Sequence, residues 1–180
     1  METTYLSVKK QNTLARKGDP MKMKFWLIIA VLAFCPTIFA EGNYKFIGSS
    51  SYESLYFDTD TIRFKKEFGE LFIEVWVKHQ PTTEGAKEYI QERQKDKLKT
   101  QGFENFAYYI DHKLYSLDKK SCWINSIDYA KDGSILDSKY YPIRNWQPII
   151  AGSEGEVIWA LVMQYAEDYQ YLLEYRMEND

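Results

Sequence analysis

The sequence predicts an α+β fold: an antiparallel β-sheet of about six strands, a C-terminal amphipathic helix packed on one face, and a charged helical segment inserted mid-chain. Three observations predict it. Between Tyr44 and Ser138, short segments rich in β-branched and aromatic residues alternate apolar with polar positions, the period of two that a strand requires. After Ser153 the apolar residues recur every three or four positions instead, the period of a helix. Finally, 180 residues at 45% hydrophobic content suffice for one core, and 17% aromatics with only 9 Gly and 5 Pro exclude disorder, collagen-like repeats and coiled coil.

The chain opens with addressing rather than fold. Residues 1–20 are hydrophilic and precede a complete export signal, so translation is expected to start at Met21 or Met23, with the first twenty residues a mispredicted extension. Within residues 21–40, Lys22 and Lys24 supply a positive start, Phe25 to Phe34 an unbroken apolar run, and Ile38-Phe39-Ala40 a small-residue exit. This is the layout of a signal peptide cleaved after Ala40. The apolar stretch contains Pro36 and falls short of the roughly 20 residues of a spanning helix, so cleavage is expected over retention as an N-terminal anchor. Lipid attachment at Cys35 is disfavoured by the bulky Phe34 before it.

Residues 41–180 then form one exported domain with its core between about 44 and 166. Losing the six basic and two acidic residues of the first forty leaves 17 positive against 24 negative charges, a net of −7, which argues against nucleic acid as a partner. With Cys35 gone, Cys122 stands alone and no intramolecular disulfide is possible. A lone thiol in an oxidising compartment is either buried or paired between chains, and Trp123-Ile124 directly after it favour burial.

Along the mature chain, Tyr44 to Gly48 and Ser54 to Phe57 read as strands separated by Ser49-Ser50-Ser51. Asp58-Thr59-Asp60-Thr61 is a turn, Ile62 to Lys65 a short strand, and Phe68-Gly69 a reversal. Glu70 to His79 is the strongest strand, with Leu71, Ile73, Val75 and Val77 on one face and Phe72, Glu74, Trp76 and Lys78 on the other, as expected of a half-buried antiparallel strand. Glu84 to Thr100 is rich in strong helix formers and ends at Gly102; it reads as a solvated helix contacting through Ala86, Tyr89, Ile90 and Leu98, or as a mobile inserted arm. Phe103 to Leu117 is extended, and Ser121 to Tyr129 and Ser134 to Ser138 form a hairpin about Asp132-Gly133. Tyr141-Pro142 and Trp146-Gln147-Pro148 belong to an irregular connector. Ser153 and Glu156 make an S-x-x-E capping box that opens the closing helix, whose stripe is Val157, Ile158, Leu161, Val162, Tyr165, Tyr169, Leu172 and Leu173.

Few residues offer reaction chemistry. The only histidines are His79 and His112, no H-E-x-x-H or Cys/His cluster occurs, and no metal or cofactor site is expected from local spacing. The aspartates Asp58, Asp60, Asp128 and Asp132 lack a calcium-loop pattern and read as turn formers. A thiol hydrolase would need Cys122 beside His112, and packing of Cys122 in the core is the preferred alternative. The tyrosines, clustered at Tyr108-Tyr109, Tyr140-Tyr141 and Tyr165 to Tyr175, suit protein interfaces as well as cores. The one basic run (Arg93, Lys95, Lys97, Lys99) is interrupted by acidic residues.

The order of several short motifs is informative. The leader is followed by Leu55-Tyr56-Phe57-Asp58-Thr59-Asp60-Thr61-Ile62 and Val75-Trp76-Val77-Lys78. Then come Tyr115 to Cys122, Tyr129-Ala130-Lys131-Asp132-Gly133, and Trp146-Gln147-Pro148-Ile149-Ile150-Ala151-Gly152-Ser153-Glu154-Gly155-Glu156. Across about residues 44–166 this resembles the surface-adhesin protein E-like domain of bacterial secreted and surface proteins, with Cys122, Trp146, Gly152, Ser153 and Glu156 carrying the likeness. The resemblance implies an antiparallel sheet with a C-terminal helix, no enzymatic activity, and attachment to host or extracellular-matrix proteins. Family members tend to carry a second Cys in the closing helix, where this chain has Tyr165. The expectation is therefore a non-enzymatic protein exported to the periplasm, cell surface or medium, without cofactor, that binds a protein partner. A structural envelope protein, dimeric through sheet edges or Cys122, is the alternative.

Overall fold

Alternating apolar and polar side chains become strands of one sheet in the computed structural model, which describes residues 43–179. The signal-peptide reading, with Ala40, lies outside the described residues. The strands are β1 (Tyr44–Ser49), β2 (Glu53–Asp58), β3 (Arg63–Glu67), β4 (Glu70–Pro81), β5 (Phe106–Ser116), β6 (Lys120–Ala130), β7 (Ile135–Tyr140) and the short β8 (Gln147–Pro148). They run antiparallel in the order β1-β2-β4-β5-β6-β7, with β3 on β4 and β8 on β6. The helices are α1 (Thr83–Lys95), α2 (Glu154–Asp168) and α3 (Gln170–Asn179), with a 3-10 turn at Phe103–Asn105. The architecture is thus α+β: an antiparallel sheet carrying C-terminal helices on one face.

β4 organises the sheet because it is long enough for three partners. Residues 70–74 pair with β3 and residues 77–81 with β2, so those two strands lie end to end along one side of it. Phe68 (φ 52°) and Gly69 (φ 86°) both sit in the left-handed region, the two-residue reversal that matches strand twist and joins β3 to β4. The half-buried strand expected here is corrected. Phe72 and Glu74 are as buried as Ile73 and Val75, because β4 is central and its second face is also covered at that end.

The main core is built on one face. Leu55, Phe57, Phe64, Ile73, Val75, Val77 and Tyr115 meet Ile158, Val162, Tyr165 and Ala166 of α2 and Leu173 of α3. Each such burial contributes about 1.5–3 kcal/mol. The expected single closing helix is in fact two. Tyr169 leaves helical geometry (φ −120°, ψ 27°) between them, and the buried stripe is narrower than predicted, with Val157, Leu161, Tyr169 and Leu172 exposed. The cap differs by one residue as well. Ser153 Oγ accepts from the Glu156 amide at 3.3 Å, while Glu156 Oε2 accepts from the Gly152 amide at 2.7 Å rather than from Ser153.

α1 is a helix fastened to the sheet, and it ends at Lys95 rather than running on to Thr100. Thr82 caps it, accepting from the Gly85 amide at 3.2 Å. Gly85 is required by close approach: a Cβ there would lie 2.0 Å from the Tyr52 carbonyl oxygen. The far end is held by Arg93, 8% exposed, whose guanidinium donates to Asp128 at 2.9 Å and also to Asp137. Arg93 is therefore withdrawn from the basic run, while Lys95, Lys97 and Lys99 stay exposed.

Candidate functional site

Residues paired across a ladder point to the same side of a sheet. Registers linking Tyr56 to Lys78, Lys78 to Ile110 and Ile110 to Ile127 place all four opposite the helices. The same holds for Trp76, His112, Asn125 and Tyr140, and for Phe46, Tyr108 and Tyr129. Among the described residues no helix packs over this face. Phe46 and Tyr140 are exposed, and Tyr56, Trp76, Tyr108 and Tyr129 are half-buried. The rings support one another. Tyr108 and Tyr129 stack at 4.9 Å, Phe46 meets Tyr56 at 5.4 Å, and Trp76 stacks on His112 at 4.2 Å. Lys78 Nζ sits 4.1 Å from the Tyr108 ring centre and 5.2 Å from that of Tyr44. Burial, then the charge of Asp58, pushes the Tyr44 hydroxyl up to about 12, so it remains a protonated donor.

A cleft of about 400 Å³ opens on this face where β2 and β3 part along β4, lined by Arg63, Glu74, Trp76, His112 and Arg176 among others. Glu74 is 3% exposed and accepts from Arg63 Nε at 2.7 Å and Lys65 Nζ at 3.2 Å, with His112 Nε2 at 2.8 Å. Burial alone would raise this carboxyl, but the adjoining His112, Arg63 and Lys65 outweigh it and bring its pKa down to about 2. The wall of the cleft is thus a fixed carboxylate beside a flat aromatic stack.

The other face holds a second, buried cluster beyond the apolar core. Asp111 accepts from Trp123 Nε1 at 2.9 Å and Ser126 Oγ at 2.8 Å, and lies 3.2 Å from Lys113 Nζ and 3.7 Å from His79 Nε2. Burial would raise Asp111, and these partners instead lower it. His79 Nδ1 is 3.1 Å from Glu53 Oε2, which also receives the Tyr109 hydroxyl at 3.4 Å. Nearby, Asp128 accepts from Tyr89 at 2.7 Å, and burial raises its carboxyl despite that bond. Glu53, His79 and Glu154, from β2, β4 and the first turn of α2, each bring one ligand-type atom within 4.8 Å of the others.

Each residue singled out from the sequence has a definite place. Cys122 is fully buried with Phe72, Leu114 and Ile124, and burial pushes its thiol up, so it is neither nucleophilic nor able to reach another chain while folded. His112 stacks on Trp76 and faces Glu74, so its ring is engaged with those two side chains rather than with the thiol cluster. Trp146 stacks on Phe72 at 4.8 Å and closes that small cluster. Gly152, Ser153 and Glu156 form the α2 cap, with Lys119 Nζ 3.0 Å from Glu156. All five positions singled out for the resemblance therefore have structural roles. Sequence reasoning missed Glu53, His79 and Glu154, which share no local spacing, and Asp111 with Lys113, whose i, i+2 spacing on a strand did place them on one face. No family model, curated protein or solved structure matches the chain.

Proposed function

We propose that the chain is an exported, non-enzymatic binding module, similar to surface-adhesin E-like domains, that grips a protein outside the cytoplasm with its open aromatic face. The observation that carries this reading is the row of half-exposed tyrosine, phenylalanine and tryptophan rings on a sheet face that, among the described residues, no helix covers. Tyrosine and tryptophan give large contact area with little side-chain entropy to lose, and stacked neighbours lower that loss further. The cleft beside Trp76 and His112 would accept one anchoring side chain of the partner, as interface hot spots do. Export rests on the leader read in residues 21–40, and the burial of Cys122 argues against the alternative of a thiol hydrolase built on it.

Purified protein passed over immobilised extracellular-matrix proteins tests the reading: saturable binding to at least one, lost when Tyr108 and Tyr129 are both replaced by serine, is expected. Failure to bind any of them, or binding indifferent to those two substitutions, would remove it. Sedimentation in the same buffer separates this outcome from self-association of the face into a homodimer.

A further inference from the structure

We propose that Glu53, His79 and Glu154 form a site for a divalent transition-metal ion, with Zn²⁺ the best match. Their donor atoms already lie within 4.8 Å of one another. Zinc bonds of about 2.0–2.2 Å place two donors roughly 3–4 Å apart, so small rotations of the two glutamates complete the site. One imidazole with two carboxylates favours zinc over Mg²⁺ or Ca²⁺, which take oxygen donors alone. Three protein donors leave a fourth position for water, and Glu154, on the exposed side, gives the ion a way in.

Three further features fit a metal better than a simple hydrogen-bonded pair. His79 is 4% exposed and its ring is clamped against Tyr109 at 4.2 Å and 10°, so its orientation is set before any ligand arrives. Behind it, Asp111 faces Nε2 at 3.7 Å while Nδ1 faces Glu53 at 3.1 Å. The 3.7 Å separation exceeds a hydrogen bond and leaves Nε2 without a partner, so Asp111 acts on the ring through its charge. The charges also fit. Among the described residues, the carboxylates Glu53, Asp111 and Glu154 gather against Lys113, which lies 3.2 Å from Asp111, an excess of negative charge that a divalent ion offsets.

The site is independent of the aromatic face, so the test does not depend on finding a protein partner. The chain is expressed from its full coding sequence without a metal-binding tag and titrated with Zn²⁺ by calorimetry and with Co²⁺ by absorption. One saturable equivalent of each is expected, not displaced by about hundredfold more Mg²⁺ or Ca²⁺. Glu154→Gln, outside the core, should melt as the parent does and bind Zn²⁺ at least about tenfold more weakly, with His79→Asn weaker still. Exposed Glu167→Gln should leave binding unchanged. No saturable Zn²⁺ or Co²⁺ binding by the parent chain, displacement by Ca²⁺, or full affinity in Glu154→Gln would overturn the proposal.

Discussion

The two faces of the sheet use similar residues for opposite ends. On the helix side, Phe57, Tyr115 and Tyr165 are buried, Phe57 and Tyr165 meet edge to face at 5.3 Å, and polar neighbours are tied into ion pairs. On the open side, Phe46 with Tyr56 and Tyr108 with Tyr129 pair just as closely but retain water contact. Aromatic content alone does not say which rings fold the protein and which are left for a partner. What decides it is the parity of a residue along its strand relative to the helices, except at the end of β4 where Trp146 covers Phe72 on the second face.

Truncating one ring on each side gives the largest contrast. Phe57→Ala should cost about 3–5 kcal/mol, a full core cavity. Phe46→Ala, 44% exposed, should cost about 1 kcal/mol or less. Urea denaturation of both variants measures the difference, and equal losses would break the division of the faces. Next in size is Gly85→Ala, whose Cβ would meet the Tyr52 carbonyl at 2.0 Å. An overpacking cost of about 1–3 kcal/mol is expected, with faster amide exchange in α1 than in α2.

Acid sharpens the comparison at the charged cleft of the open face. The folded-state pKa of Glu74, about 2, lies below its ordinary 4.5, so the unfolded chain binds the extra proton. The stabilisation is complete above about pH 4.5 and is lost as pH falls toward 2. Glu74→Gln should flatten that part of the stability profile, read by thermal melting at stepped pH. A profile unchanged by the substitution would mean that Arg63, Lys65 and His112 do not hold the carboxylate.

Most of the fold was legible because strand and helix periods are local properties. Ile73, Val75 and Val77 announce their face by alternation, and Ser153 with Glu156 announce the start of α2. The second covered face of β4 was not legible, because Phe72 is buried by Trp146, seventy-odd residues away. Nor was the break at Tyr169, since Leu172 and Leu173 continue the apolar spacing across it. α1 is largely solvated as expected, but its fastening was not legible, because Arg93 meets Asp128 on β6 and Asp137 on β7. Its signal was present in Tyr89 and Arg93, one turn apart on an otherwise polar helix. The Glu53, His79 and Glu154 group was beyond reach, since it depends on strand register and on where α2 begins.

The division of the faces is tested most directly by two double variants assayed against the same immobilised matrix protein. Tyr108→Ser with Tyr129→Ser alters the open face; Tyr171→Ser with Tyr175→Ser alters exposed rings of α3, 85% and 60% accessible. The first pair should lower affinity by about tenfold or more while costing less stability than Phe57→Ala, and the second should leave affinity within about twofold. Loss of binding in the α3 pair with full binding in the open-face pair would contradict the account.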